Sequence, residues 1–247
     1  MKNMSRKYTF ALLLPFWLLF TACDPGIEPP PPSTSANVIM PLGASRVEGA
    51  RPAFESYRYE LWKLLVDGGW DFDFIGANYD DASYPSYAGQ TFDGWHSGYG
   101  GATSGQILEG LPGWLDAAGS PDIVLLSSPG GNDGLENSSF EDAVDNVNAI
   151  IDVLQANNPN VTIIIEQMAP AMEEAMTTEL TSFMSQMNQE VLNMAAVQTT
   201  ATSQVLTVDM FTGFNDTHLA DDVHYNEAGA TLVAERYYTV LEGVLQQ

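Results

Sequence analysis

Short apolar runs and amphipathic stretches alternate along the chain from residue 37 onward. Apolar, partly β-branched runs predict buried strands at residues 38–40, 72–75, 123–126, 161–165 and 205–208. Apolar residues at helical spacing predict helices at residues 58–66, 140–154, 174–196 and 228–245. Helices between successive strands favour a parallel sheet that is covered on both faces. The pattern therefore predicts one α/β domain.

The carboxyl ends of the predicted strands are where a functional site is expected. In open parallel sheets, ligand-binding crevices form at that edge. Serine, glycine, asparagine and aspartate residues follow several of the apolar runs. By contrast, Met184, Met187 and Met194 lie inside a predicted helix, which favours core packing over a ligand site.

The first 22 residues have the composition of an export signal. Lys2, Arg6 and Lys7 precede a short apolar stretch at residues 10–20, and small residues then precede Cys23. The stretch is shorter than the roughly 20 residues of a comfortable membrane span. The end of this segment resembles the bacterial lipoprotein signal, in which the cysteine becomes the lipidated first residue. A plain signal peptide with an incidental cysteine is the alternative.

Residues 23–36 are predicted to tether a folded domain, residues 37–247, to a lipid anchor on Cys23. Four consecutive prolines at residues 29–32 favour stiff polyproline II, and the Ser/Thr-rich segment after them is typical of a flexible linker. We expect an exported bacterial lipoprotein, periplasmic or on the cell surface, that meets the membrane only through this anchor. Cys23 is the only cysteine, which excludes an intrachain disulfide.

The net charge limits the classes of partner. The chain has 8 lysines and arginines against 32 aspartates and glutamates, a formal charge of -24 at pH 7. Such a surface repels nucleic acid and anionic lipid headgroups. The acidity is typical of a solubility adaptation, and a specific cation site is the alternative. The negative charge thus excludes nucleic acid as a partner but does not identify a ligand.

Ser45 and Gly101 are the first two candidates for chemistry. Ser45 lies in a glycine-containing turn between a predicted strand and a helix, where its hydroxyl is exposed near backbone N–H groups that can hold an oxyanion. A helix-capping serine is the alternative. Gly101 lies in a glycine-rich segment, residues 98–104, where the backbone can approach a ligand. The alternative there is a flexible loop.

Asn132 follows the apolar run at residues 123–126, in the sequence Gly130-Gly131-Asn132-Asp133. An asparagine amide at a strand end suits an oxyanion donor, because it is neutral and firmly placed. Asparagine is also common in turns that contain glycine, so a plain turn is the alternative.

His224 lies three residues after Asp221, a spacing that can place the carboxylate against Nδ1 of the imidazole. Nε2 is then free to accept a proton from a serine hydroxyl. His218 is the competing base, but the residue three positions before it is Asn215, which carries no carboxylate. Asp222 is the competing partner for His224, and the spacing favours Asp221.

In this order and at these strand ends, the four segments resemble the SGNH (GDSL-type) hydrolase superfamily, whose four blocks carry Ser, Gly, Asn and His. The resemblance covers residues 38 to about 245. It implies a flavodoxin-like, three-layer α/β/α sandwich with a central parallel sheet, and a serine esterase that needs no metal or cofactor. It implies Ser45 as nucleophile, His224 as base and Asp221 as the acid that orients it. The implied oxyanion hole consists of the Ser45 and Gly101 amides and the Asn132 side chain.

One position departs from the superfamily pattern. The first block normally has Gly-Asp-Ser, and here it is Gly43-Ala44-Ser45. The missing carboxylate is not the acid of the triad, so the chemistry can be retained without it. Because fold alone does not establish activity, an inactive relative stays open as an alternative.

Residues 40–45, 56–62, 73–76 and 96–101 are similar to the acetylxylan-esterase-like branch of the superfamily. The similarity implies removal of acetyl groups from a polysaccharide or oligosaccharide. Four aromatic residues are candidates for stacking on sugar rings or for ordinary packing: Tyr84, Tyr87, Trp95 and Tyr99. Two other functions stay open, a general carboxylesterase or lipase-like acylhydrolase, and a catalytically inactive glycan-binding module.

Overall fold

A computed structural model describes residues 32–247 of the chain. The predicted export signal, Cys23 and most of the predicted tether lie outside the described residues. The strands are β1 (Asn37–Gly43), β2 (Phe72–Phe74), β3 (Asn78–Tyr79), β4 (Trp95–Gly98), β5 (Ile123–Leu126), β6 (Thr162–Gln167) and β7 (Gln204–Asp209). The helices are α1 (Ser45–Glu48), α2 (Arg58–Asp67), α3 (Ser104–Ala118), α4 (Gly131–Leu135), α5 (Phe140–Asn157), α6 (Thr178–Gln198) and α7 (Glu227–Leu241), with a 3-10 helix at Asp216–His218. None of the helices described is long and apolar enough to cross a membrane.

The strands form one mostly parallel sheet. β1, β5, β6 and β7 lie side by side in that order and run parallel. On the other edge of β1, β2 pairs in parallel with its first half and β4 with its last two residues. β3 pairs antiparallel with β4. The predicted parallel sheet and the α/β/α fold class are confirmed.

Two hydrophobic cores lie on opposite faces of the sheet, as expected for strands that are buried on both sides. One face packs against α3, α5 and α6, and the other packs against α2 and α7. Successive residues of β1 illustrate the division, since Ile39 belongs to one core and Met40 to the other. Met184, Met187 and Met194 are buried in the first core, which confirms the packing role predicted for them.

The predicted strands and helices are all present, and the largest differences in their ends are in α6 and α7. α6 begins at Thr178 rather than at residue 174, because Thr177 caps it by accepting a hydrogen bond from the Leu180 amide. α7 ends at Leu241 rather than at residue 245. α3 was not predicted: three glycines and Pro112 lie within it and weaken its helical pattern. A capping box formed by Thr103 and Gln106 starts this helix nevertheless.

Asp93 gives the fold a pH-dependent stability. Burial, together with the nearby charge of Asp73, raises the pKa of Asp93 to about 7, although the Phe74 and Trp95 amides donate to its carboxylate. Between the unfolded pKa near 4 and this value, the native state holds a proton that the unfolded state has lost. The free energy of unfolding should therefore fall as the pH rises through this window, by up to about 4 kcal/mol.

Urea titrations at pH 5 and pH 8 measure this loss. Asp93→Asn should lose less stability between the two pH values than the wild type does. The exposed Asp81 provides the control, because Asp81→Asn removes the same charge from the surface. Equal pH dependence in Asp93→Asn and Asp81→Asn would contradict the assignment to Asp93.

Candidate active site

Ser45 is the first residue of α1 and follows the end of β1 by two positions. The turn is tight: a Cβ at Gly43 would lie 2.9 Å from the Ser127 carbonyl oxygen, so only glycine fits there. The Ala44 carbonyl accepts hydrogen bonds from the amides of Val47 and Glu48, each at 3.0 Å. The turn is thus closed by backbone bonds, without the carboxylate that the superfamily pattern has at position 44.

His224 lies next to Ser45, although 179 positions separate them in the chain. Its Nε2 is 2.9 Å from Ser45 Oγ. Its Nδ1 is 2.9 Å from Oδ2 and 3.0 Å from Oδ1 of Asp221. With Nδ1 protonated toward the carboxylate, Nε2 carries the lone pair that can accept the serine proton. The structure therefore brings the three predicted triad residues into one hydrogen-bonded chain.

The carboxylate that faces His224 is held by its own loop. Burial acts to raise the pKa of Asp221, but the amides of Val223 and His224 and the imidazole outweigh it, so the pKa lies below its ordinary value. The two amides donate to Asp221 Oδ1 at 3.0 and 2.8 Å. Asp222 instead contributes its carbonyl, which accepts from the Met172 amide. The geometry therefore pairs His224 with Asp221.

The other two histidines have separate roles in the fold. Nδ1 of His218 lies 3.1 Å from the backbone of Asn215, within the cap of the 3-10 helix. His96 is buried in β4 and accepts a hydrogen bond from the Gly98 amide. Its burial, with the nearby charge of Arg58, lowers the pKa of His96 well below its ordinary value.

Two residues that the sequence analysis did not single out contact the His224 loop. The Phe54 ring stacks on the imidazole of His224, with centroids 3.8 Å apart and planes 12° from parallel. The Arg46 guanidinium donates to the carbonyl of Val223, the residue before His224. No sequence motif encodes either contact, and the one sequence signal is that Arg46 directly follows the candidate nucleophile. In the structure Arg46 stands out because a buried arginine is uncommon.

The three predicted oxyanion donors come from separate segments near Ser45. Tyr99, two residues before Gly101, donates its amide to the Gly43 carbonyl, which holds the glycine-rich segment beside the Ser45 turn. Gly101 has a φ of +76°, a conformation that favours glycine. Asn132 Nδ2 donates one hydrogen to the Ala102 carbonyl at 2.8 Å and retains a second. Within residues 32–247, neither the Ser45 amide nor the Gly101 amide donates a hydrogen bond to another protein group.

A small cavity opens beside the hydroxyl of Ser45. Its volume is about 50 Å³, and both Ser45 and Asn132 line it. The rest of its wall is mostly apolar and includes Leu135, Met168, Leu180 and Met184. A water molecule needs roughly 10–15 Å³ by this measure, so the cavity holds about four non-hydrogen atoms. An acyl group of that size fits beside the nucleophile.

The four aromatic residues suggested for sugar stacking all have partners in the fold. The hydroxyls of Tyr84 and Tyr87 donate to Asp80 and Asp67, respectively. Trp95 packs edge-on against Tyr79. Tyr99 stacks on Trp114, with centroids 4.2 Å apart. Their contacts show that they pack, and a role in sugar binding stays a prediction.

Metal chemistry has no candidate ligand set in the described part of the chain. Residues 32–247 contain no group of three or more His, Cys, Asp or Glu side chains arranged to hold a metal ion.

The model of the GDSL-like lipase/acylhydrolase family matches residues 65–232. The chain belongs to this family, and it is a carboxylic ester hydrolase. Asn132, Asp221 and His224 lie within the matched residues, whereas Ser45 precedes them. No curated protein matches the chain.

Several solved structures share the fold. The family 3 carbohydrate esterase of Clostridium thermocellum is 27% identical, with a TM-score of 0.67, and the match covers 85% of this chain and 99% of that protein. The family 3 carbohydrate esterase of Talaromyces cellulolyticus is 24% identical, with a TM-score of 0.72 and coverage of 84% and 97%. An acetyl esterase mutant with an acetate ion has the same identity, TM-score and coverage. The predicted resemblance to the carbohydrate-esterase branch is confirmed.

Proposed function

We propose that the chain is a serine esterase that removes short acyl groups, above all acetyl, from a polysaccharide or oligosaccharide. The main support for the proposal is the hydrogen-bonded chain from Ser45 Oγ through His224 to Asp221, in which His224 Nε2 lies 2.9 Å from Ser45 Oγ. A serine hydroxyl at this distance from an oriented imidazole has the geometry of an activated nucleophile. The similarity to carbohydrate esterases supports the choice of substrate class.

The proposed reaction has two halves. Ser45 Oγ attacks the ester carbonyl carbon while its proton passes to His224 Nε2, and Asp221 stabilises the imidazolium. The oxyanion accepts hydrogen bonds from the Ser45 and Gly101 amides and from the free Asn132 hydrogen. The bond to the sugar oxygen then breaks, and the alcohol leaves with the proton from His224. Water attacks the acyl-serine by the same route, which releases the carboxylic acid and restores Ser45.

The cavity beside Ser45 supports a short acyl group. At about 50 Å³ it accommodates an acetyl group, and it leaves little enclosed room for a longer chain. That wall nevertheless makes a more general carboxylesterase the second candidate, because apolar side chains favour hydrocarbon over sugar.

We also propose that the enzyme is an exported lipoprotein that acts at a membrane surface. Support comes from the basic start of the chain, the short apolar stretch and the small residues before Cys23. The proline-rich segment would hold the catalytic domain away from the bilayer.

The acyl-length profile tests the proposal. We expect kcat/KM for p-nitrophenyl acetate to exceed that for p-nitrophenyl octanoate by at least about 100-fold, because the cavity holds only a few atoms. The chain should also release acetate from acetylated xylan. Ser45→Ala serves as the blank in both assays. Equal rates on both esters would favour the general carboxylesterase, and a folded but inactive wild type would favour the inactive relative.

A further inference from the structure

Arg46 links the candidate nucleophile to the loop of the candidate base. It directly follows Ser45 in α1, and only 9% of its surface is exposed. Its Nε donates to the Val223 carbonyl at 2.8 Å. Val223 is the residue before His224, so one side chain connects the turn of Ser45 with the backbone next to the imidazole.

The same guanidinium also reaches a third segment. Its Nη1 donates to the Ala169 carbonyl at 2.8 Å, and Nη2 donates to the Pro170 carbonyl at 3.1 Å. These carbonyls lie just beyond the end of β6, on the same edge of the sheet as Ser45. The planar guanidinium of arginine has five N–H groups and can hold three carbonyls in fixed directions, which the ammonium group of lysine cannot do.

The surroundings of Arg46 compensate for its buried charge. Its Cζ lies 4.9 Å from the centroid of the Tyr225 ring. Its Nη1 lies 3.4 Å from Ser128 Oγ, and the Ser128 amide donates to Oε2 of the fully buried Glu166 at 2.8 Å. Ser128 itself has a φ of +47°, a strained conformation for serine, and it lines the cavity beside Ser45. The charge is therefore held in one place by carbonyls and an aromatic face, and Ser128 links it to the Glu166 carboxyl group.

We propose that Arg46 is a positioning residue, which holds the His224 loop so that Nε2 stays within hydrogen-bond distance of Ser45 Oγ. This inference rests on the proposed function, since it presumes that His224 is the base. Arg46 also lines the cavity beside Ser45, but its guanidinium nitrogens donate to the Val223, Ala169 and Pro170 carbonyls, so its proposed role is to align the triad. Small displacements of reacting groups are costly, and about 1 Å can lower the rate on the order of 100-fold.

Arg46→Met is the direct test, with Arg236→Met as its matched control. Arg236 also donates to two backbone carbonyls, those of Asp209 at the end of β7 and of Thr212, but it has no hydrogen bond to the His224 loop. We expect Arg46→Met to lower kcat for p-nitrophenyl acetate about 10- to 100-fold while KM changes less than about 3-fold, because misalignment of the triad slows the chemical step rather than substrate binding. A rise in KM with an unchanged kcat would indicate substrate contact at the cavity wall and would overturn the inference. Arg236→Met should keep the wild-type kcat, even where thermal unfolding shows that it is less stable.

Arg46→Lys keeps the test decisive if the methionine variant does not fold. It retains the charge but cannot hold three carbonyls, so kcat should still fall several-fold at a temperature where the protein is folded. Wild-type kcat in a folded Arg46→Met or Arg46→Lys variant would overturn the inference and leave the proposed function intact. An inactive wild type, or an active Ser45→Ala variant, would overturn the proposed function and this inference with it.

Discussion

Replacement of Ser45 or of His224 by alanine is expected to lower kcat for ester hydrolysis by about 10⁴- to 10⁶-fold. Without Ser45 Oγ no acyl-enzyme forms, and without His224 the hydroxyl keeps its proton and stays a weak nucleophile. Steady-state hydrolysis of p-nitrophenyl acetate measures both losses. The residual rate should come from the oxyanion donors and from substrate binding alone.

The double variant Ser45→Ala/His224→Ala sharpens this prediction. Residues that act as one unit are strongly non-additive, so the double variant should be about as slow as either single variant. His218→Ala is the matched control, because His218 lies in the cap of the 3-10 helix and should leave kcat near the wild-type value. Losses that multiply in the double variant would mean that the two side chains act independently, which the 2.9 Å contact does not predict.

Arg58→Met is expected to lower the free energy of unfolding by about 3–5 kcal/mol. The Arg58 side chain is fully buried, and it donates to the carbonyls of Val47 and Glu48 at 2.6 and 2.8 Å. It also forms a 2.8 Å ion pair with Asp80. The methionine variant would leave these acceptors without their donor, and a nearly buried carboxylate without its cation.

Chemical denaturation with urea measures this loss, and Lys63→Met is its control. Lys63 pairs with Glu60 at 2.7 Å on the surface, where a lost ion pair should cost less than about 1 kcal/mol. Because Arg58 holds the carbonyls at the end of α1, the Arg58→Met variant should also lose activity. A loss of stability no larger than that of Lys63→Met would contradict the structural role assigned to Arg58.

Strong local patterns made most of the fold predictable. β5 is a continuous apolar run, and its four residues are buried on both faces. α5 has apolar residues at helical spacing and a serine cap at Ser139, so sequence and structure agree on where it begins. α3 was missed because Pro112 and its glycines lower the helical signal, and its stability comes from packing against α5 and the sheet. The short strands β3 and β4 were missed because neither Asn78–Tyr79 nor Trp95–Gly98 contains an apolar run.

Part of the candidate site could likewise be predicted from local sequence patterns, and part could not. Asp221 and His224 are three residues apart, so their pairing could be predicted from local geometry. Ser45 and Asn132 could be predicted as candidates because each follows a strand at the edge where sites form. The contacts of Arg46 and Phe54 with the His224 loop join segments more than 150 residues apart, and no local pattern encodes them. They follow from the tertiary structure.

Covalent labelling of the full chain with diethyl p-nitrophenyl phosphate tests whether Ser45 is the activated nucleophile. The reagent phosphorylates a serine only where a base activates the hydroxyl. We expect one diethylphosphoryl group per chain, located on Ser45 by peptide mass spectrometry, with no label in Ser45→Ala and much slower labelling in His224→Ala. A label on another residue, or undiminished labelling in either variant, would contradict the assignment of Ser45 as the nucleophile.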